Sequence, residues 1–439
     1  MIRHVHIRGY KSLKDVTVEL PRSLTVVIGP NASGKSNFLD ALGLLSRMAL
    51  APTLEDAFRD HRGRIVEAFT FGGGGLREAL GRESLSFSID VDVHLSDSAV
   101  RETEEEIARR RAGFEEAKPE RAAKVVERDL RYRLAIEYRP KDQVLRVTDE
   151  ELVPLRKGGK IKESRSPFLS LEKKGGNRVI RLRLEGQGAR PSEFEIGLPY
   201  TVVSRPHYAP HYPHIEAFKR ELLGWRFYYL EPRVMRADND LKAVSIPGRS
   251  GDDLAAFFDT LRARRPKQFE ATRRALSHIL PDVERVDVER AEDGFLRLLV
   301  KEGGIDFSAR VMSEGTLRLL GLLAIVQPHT PATVVGFEEP ENGVHPARIG
   351  TVARVLENAG DAGAFQVIVN THSPLLARSV PEESLLICRK GAEGTSLVPF
   401  RSAGPLLREQ EIEEALTPSG EGGGSADLME RIIRGDFGG

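Results

Sequence analysis

Apolar and polar residues alternate from Val5 to Leu20, the period-two pattern of strands with one solvated face. The run Leu24-Thr25-Val26-Val27-Ile28 drops the alternation and reads as a short strand buried on both faces, ended by the turn residues Gly29-Pro30-Asn31. Phe38, Leu39, Ala41, Leu42, Leu44 and Leu45 then recur at helical spacing. Four consecutive glycines at 72–75 predict a loop or hinge. Ser84 to His94 alternate strictly, as a half-buried antiparallel strand does. From Asp97 to Asp129 the chain is charged and helical, with a break near Pro119. At 1.5 Å per residue such a stretch reaches only ~50 Å, an arm stub rather than a long coiled coil.

Leu130 to Tyr200 returns to strand patterns with basic loops, and Phe227 to Leu230 reads as a strand rejoining the main fold. Helical stretches at 250–264 and 267–279 follow. Buried strands at 333–337, 366–370 and 384–388 then alternate with helices, which predicts a parallel α/β sheet. Gly422-Gly423-Gly424-Ser425 reads as a flexible linker to a short terminal helix. The predicted architecture is α/β: a mostly parallel sheet, an antiparallel β subdomain and an inserted α+β arm. The expected modules are 1–96, 97–225 and 226–439.

Composition changes this picture little. Of 439 residues, 40% are hydrophobic and 30% charged, a globular balance. Lys plus Arg and Asp plus Glu both number 65, so any basic surface must be local. No apolar run approaches the ~18–20 residues of a membrane helix. Cys388 stands alone, which excludes an intramolecular disulfide and a cysteine-rich zinc site. These features predict a cytoplasmic protein that does not enter a membrane.

Gly29-Pro30-Asn31-Ala32-Ser33-Gly34-Lys35-Ser36 matches G-x-x-x-x-G-K-[ST], between a buried strand and an amphipathic helix. In that context backbone N–H groups curl around phosphate oxygens and the helix N-terminus adds positive dipole. Lys35 then reaches the outer phosphates and Ser36 ligates Mg²⁺. Val334-Val335-Gly336-Phe337-Glu338-Glu339 is an apolar strand ending in two carboxylates, one for the metal and one for an attacking water. Met312-Ser313-Glu314-Gly315-Thr316-Leu317-Arg318 opens a strongly apolar helix expected over 319–326, and a helix N-terminus can grip phosphate. Val369-Asn370-Thr371-His372-Ser373-Pro374 is a buried strand carrying a histidine at its C-terminal edge, where open α/β sheets bind ligands.

In order and spacing these four elements resemble the Walker A, signature, Walker B and switch-histidine motifs of the ABC-ATPase superfamily. Arg8-Gly9-Tyr10-Lys11-Ser12, Asn37, the Ser-Glu-Gly-Thr-Leu-Arg signature and the block Glu338-Glu339-Pro340-Glu341-Asn342-Gly343-Val344-His345-Pro346 resemble the RecF/SMC/OLD-like branch of bacterial AAA-named ATPases. The resemblance covers about residues 1–95 and 226–400. It implies an ABC/SMC-type P-loop head that uses ATP and Mg²⁺ and dimerises around ATP. Residues 29–37 (Gly29, Pro30, Asn31, Ala32, Ser33, Gly34, Lys35, Ser36 and Asn37) would bind ATP. Ser36 and Glu338 would hold the metal. Glu339 would polarise the attacking water, and His372 and Lys35 would contact the reacting phosphate. Ser313, Glu314 and Gly315 would face outward and act on the other subunit's ATP. Asn342 and Gly343 would lie in the D-loop at the seam, and Lys11 and Ser12 near the nucleotide.

Two departures stand out. Glu338 occupies the usual aspartate position. No glutamine precedes Gln143, so the family's loop glutamine is missing, displaced or replaced by something near 66–82. The implied role is DNA-linked: repair, or the ATPase half of an anti-phage defence pair with a separate nuclease or effector. OLD-like relatives carry a TOPRIM nuclease domain after the switch histidine, and the segment that follows His372 here is too short for one.

Arg156 to Arg183 contains ten Lys/Arg against Glu163 and Glu172. It reads either as a DNA-phosphate surface using Lys157, Lys160, Lys162 and Arg165, or as a solvated β-ribbon. Asp90, Asp92 and His94 share one strand face and frame the rival reading, a metal-dependent nuclease regulated by ATP; an exposed polar face opposite Phe87, Ile89, Val91 and Val93 explains them without function and is preferred. His207, His211 and His214 lie in a proline-broken loop and read as polar loop residues in preference to a zinc site.

Overall fold

The computed structural model describes residues 1–112, 124–185, 190–280, 283–327, 330–363, 365–392, 394–401 and 408–417. The expected break near Pro119 and the linker at 422–425 lie outside the described residues.

A six-stranded sheet organises the molecule. Its order is Trp225–Tyr228, Val334–Glu338, Gln366–Thr371, Leu24–Ile28, Leu385–Gly391, Gly394–Pro399. The first five strands run parallel and the last is antiparallel. The central strands carry apolar side chains on both faces, as a doubly covered sheet requires. Val27, Val334 and Ile368 feed one core, while Leu24, Val26, Ile28, Val335, Phe337, Val367 and Val369 feed the other. Register pairs Ile28 with Thr371 and Glu338 with Asn370, so three chemistry-bearing strand ends meet at one edge.

Helix Lys35–Met48 packs against Trp225–Tyr228 and Gln366–Thr371 of this sheet and against Ile2–Tyr10 of a second one. That position explains its burial nearly all round. The second sheet is antiparallel and eight-stranded. Its order is Leu13–Glu19, Ile2–Tyr10, Leu85–His94, Asp129–Arg139, Val144–Pro154, Leu169–Lys174, Asn177–Leu182, Ser192–Glu195. Leu85–His94 pairs along its full length with Asp129–Arg139. The boundary expected at residue 96 therefore falls inside one sheet and one core, because strand alternation reveals a face but not a partner.

Helix Pro213–Leu223 packs on helix Asp97–Ala112 and leads into the edge strand Trp225–Tyr228. A third, antiparallel sheet joins Asn239–Asp240, Phe295–Glu302, Val283–Arg290 and Ile305–Ser308. With helices Leu254–Arg264 and Pro266–Ile279 it builds the second core. The apolar helix expected over 319–326 with Ser313 and Gly315 at its N-terminus spans Glu314–Ile325, and Ser313 Oγ accepts from Thr316 N at 3.1 Å and caps it. No helix among the described residues is long and apolar enough to cross a membrane.

Candidate nucleotide site

The loop after Leu24–Ile28 is shaped by close backbone approaches. A Cβ at Gly29 would sit 2.2 Å from Cys388 O, and one at Gly34 (φ +112°) would sit 2.5 Å from Thr395 Oγ1. Ala32 adopts φ +61°, a left-handed conformation uncommon outside glycine. Thr395 Oγ1 lies 2.8 Å from both Ser33 O and Ser12 Oγ, and Asn37 Nδ2 donates to Ser12 Oγ at 2.9 Å. Ser12 thus braces the loop. Lys11 instead directs its ammonium to Asp40 at 2.5 Å, one turn into the following helix. Burial alone would raise the Asp40 pKa, but hydrogen bonds from His61, Lys11 and Tyr10 and the Lys11 charge hold it well below the usual range.

Lys35 Nζ donates to Gly29 O and Pro30 O at 2.8 Å each, bridging the loop it terminates. Burial lowers its pKa, opposed by the nearby Glu339 and Glu341 carboxylates. Ser33 Oγ is buried without a hydrogen-bond partner among the described residues.

Asn370 Nδ2 reaches Ser36 Oγ at 3.4 Å, and the Ser36 hydroxyl beside Glu338 favours the charged carboxylate. Burial raises the Glu338 pKa, opposed by Arg62 and Arg249. An open cleft of about 620 Å³ beside Glu338 is lined by Asp60, His61, Arg62, Arg249 and Asp252 among others. The charged groups flanking this carboxylate therefore come from 60–62 and 249–252. Residues 67–71 line a separate cleft with Lys11, Ser12 and Lys390. Residues near 66–82, one of the alternatives for the absent loop glutamine, are thus represented in the second cleft and not in the one beside Glu338.

Glu339 sits at φ +46° with its N–H shared between Asn370 O (3.1 Å) and Asn370 Oδ1 (3.0 Å). Its Oε1 lies 2.9 Å from His372 Nδ1, and its Oε2 accepts from Asn342 Nδ2 at 2.6 Å. Left-handed backbone in a glutamate is strain held by surroundings, and it aims this side chain across to the next strand end. Lys35, Ser36, Glu338, Glu339 and His372 are thus brought to one sheet edge, and Asn342 joins them.

Ser313 and Glu314 are exposed, but Gly315 is buried. A Cβ on Gly315 would meet Gly343 O at 2.3 Å, so Gly315 faces the turn after Glu339 within its own chain rather than outward.

Sequence reasoning gave no role to Glu341, Thr371 or Asn370. The third acid in Glu-Glu-Pro-Glu was visible, but an acidic residue in a turn reads as solvated.

Away from this edge, the rival metal face is closed by arginines. Arg131 grips Asp92 through two bonds of 2.6 and 2.8 Å, Arg133 Nε reaches Asp90 at 3.2 Å, and His94 pairs with Asp129 at 2.7 Å. Asp92 is buried, not part of an exposed polar face. His214 is buried against Phe168 and bonded to Glu185, while His207 bonds Val202 O. No group of three or more His, Cys, Asp or Glu that could hold a metal occurs among the described residues. Of the four basic residues singled out for DNA, Lys162 and Arg165 are committed to Glu127 at 2.8 and 3.1 Å. Lys157 and Lys160 stay exposed.

A family model described as "AAA domain, putative AbiEii toxin, Type IV TA system" matches residues 123–378, more than half of the chain. The chain belongs to this AAA family. A second model, "AAA ATPase domain", matches residues 1–150 of the AAA chain. The chain is 37% identical over 90 residues to the chromosome partition protein Smc of Desulfitobacterium hafniense, covering 20% of this chain and 7% of that protein. It is 34% identical over 55 residues to the DNA replication and repair protein RecF of Crocosphaera subtropica, covering 12% of this chain and 14% of that one. The AAA chain therefore spans only a small part of the curated relatives it matches. Its fold is similar to an SMC head solved bound to the C-winged helix domain of ScpA, with TM-score 0.50, 15% identity and coverage of 90% and 97%. The AAA chain has the fold of an ABC/SMC-type ATPase head.

Proposed function

We propose that this chain binds and hydrolyses ATP, and that two copies close on two ATP molecules and reopen after hydrolysis. One observation carries the reading: Lys35, the Ser36–Glu338 pair, Glu339 and His372 come from separate segments and meet at one sheet edge. The loop amides and the start of helix Lys35–Met48 favour an anionic phosphate, and Ser33 Oγ, buried without a hydrogen-bond partner among the described residues, is a further donor. Ser36 and Glu338 offer the hard oxygens that Mg²⁺ takes, and the bound ion would neutralise charge on the outer phosphates. Glu338 is longer than aspartate by one methylene and lies beside Ser36. Glu339, steadied by His372 and Asn342, accepts the proton of the attacking water. His372 and Lys35 orient the phosphate that leaves.

Ser313 and Glu314 are exposed at a helix start on another part of the surface, so they serve the ATP held by the second copy. The wider role is DNA-linked, in repair or in anti-phage defence with a separate nuclease or effector, and it is supported by the names of the Smc and RecF relatives. Lys157 and Lys160 are the exposed cations of the basic ribbon that would meet DNA phosphates.

Phosphate release and ATP binding measured side by side test the core of this reading. Lys35→Ala loses both. Glu339→Gln keeps ATP binding but slows turnover by about 10²–10⁴-fold, the range for losing a general base. Wild-type turnover in Glu339→Gln would remove Glu339 from the mechanism.

A further inference from the structure

Glu341 follows Pro340 in a turn, yet it is buried. Its carboxylate accepts a hydrogen bond from the Thr371 hydroxyl, at the end of strand Gln366–Thr371. The same Thr371 oxygen accepts from Ser373 N at 2.8 Å. The backbone is therefore gripped on both sides of His372, by Thr371 before it and through Ser373 after it. His372 itself is 43% exposed, and its ring meets Glu339 alone among the contacts resolved.

The arrangement is costly, which is why a purely structural turn would not use it. Burial pushes the Glu341 carboxyl up, and its second oxygen has no partner among the described residues. A serine or threonine could bond Thr371 without that penalty. Glu341 also closes the turn that follows, since its carbonyl accepts from Val344 N at 3.0 Å. That turn carries Gly343 against Gly315. Glu341 thus stands at the joint between the D-loop turn and the switch histidine.

We propose that Glu341 is a positioning residue for ATP hydrolysis: through the Thr371 hydroxyl it fixes the turn that aims His372. This rests on the ATPase reading above. A shape-conserving pair keeps the test independent of folding. Thr371→Val removes the hydroxyl and Thr371→Ser keeps it. Thr371→Val and Glu341→Ala lower kcat by about 10-fold while KM for ATP stays within about threefold, the signature of lost transition-state positioning. Thr371→Ser and Glu341→Gln, which keep the bond, stay within about threefold of wild type in kcat. In a His372→Ala background, Thr371→Val costs less than about twofold more, because residues that act through one another are non-additive.

The imidazole itself gives a readout that does not need turnover. Among 11 histidines, the His372 ring signal is the one that disappears in His372→Ala. It shifts or broadens in Thr371→Val and Glu341→Ala and holds its position in Thr371→Ser. An unmoved signal in Thr371→Val, or an equal loss of kcat with and without His372, overturns the proposal. A wild-type protein without ATP turnover would instead sink the ATPase reading, and the ring signal would then decide the role of Glu341 alone.

Discussion

The antiparallel sheet and the edge of the parallel sheet hold their buried charged groups differently. In the antiparallel sheet charge is paired: Asp92 with Arg131, Asp90 with Arg133, Lys162 and Arg165 with Glu127. Buried Glu150 there accepts from Val202 N (2.6 Å), Val203 N (3.1 Å) and Tyr132 Oη (2.9 Å). At the parallel edge the rules are broken within a few residues. Glu339 and Ala32 are left-handed, and Ser33 Oγ and one Glu341 oxygen lack partners. Unpartnered buried atoms also occur in the antiparallel sheet, at His4 Nδ1, Asp90 Oδ1 and Asp149 Oδ1, so what marks the parallel edge is that they gather with left-handed backbone around the phosphate-type loop, where a ligand would complete the set.

This contrast makes stability and turnover separable. Arg131→Ala leaves Asp92 as a buried unpaired carboxylate and costs about 3 kcal/mol of unfolding free energy, read by urea denaturation, with ATP affinity unchanged. A loss below ~1 kcal/mol would mean that the pairing ladder does not hold the sheet.

Glu150 gives an effect of similar size with a defined sign. Burial raises its pKa to about 7, above the ~4.3 of an unfolded glutamate. Between those values the folded chain keeps a proton that the unfolded chain has released. Its contribution is therefore fully present below about pH 4.3 and is lost as pH rises to about 7, by roughly 3 kcal/mol. Glu150→Gln should flatten that part of the stability–pH curve. An unchanged slope would assign it to other groups.

At the parallel edge the expected stability effects are small. Glu339→Gly relieves the left-handed strain while losing bonds to His372 and Asn342, so unfolding free energy changes by less than about 1 kcal/mol although turnover collapses. A large destabilisation would make Glu339 a structural residue. The smallest effect belongs to the ribbon. Replacing Lys157 and Lys160 with Ala should reduce the log–log salt slope of DNA binding by about 0.9 for each phosphate no longer neutralised. An identical slope in duplex and single-strand assays would remove the ribbon from the DNA reading.

What the sequence displayed and what it hid follow one physical line. The loop at 29–36, the Glu338–Glu339 strand end, the Ser313 cap and His372 are each local runs in which strand, turn and helix signals adjoin. Their chemistry could be read without a fold. The partners that complete them come from distant segments. Arg131 and Arg133 oppose Asp92 and Asp90 only through the strand register. Arg62 and Arg249 reach the surroundings of Glu338 from two separate loops. The burial of Glu341 depends on Thr371, thirty residues on. The division expected at 96 lies between strands that pair in one sheet, which alternation could not show, since it does not say which strand is next door.

The composite ATP site is the centre of the account, and the mass of Glu339→Gln in solution tests it most directly. With ATP and Mg²⁺, light scattering should find this variant doubled in mass, and monomeric when either is withheld. Adding Ser313→Arg to the same chain should keep ATP bound and return it to a monomer, because the bulky cation occupies the seam. A Glu339→Gln protein that binds ATP and remains a monomer, or a Ser313→Arg protein that hydrolyses ATP fully as a monomer, would contradict the shared site.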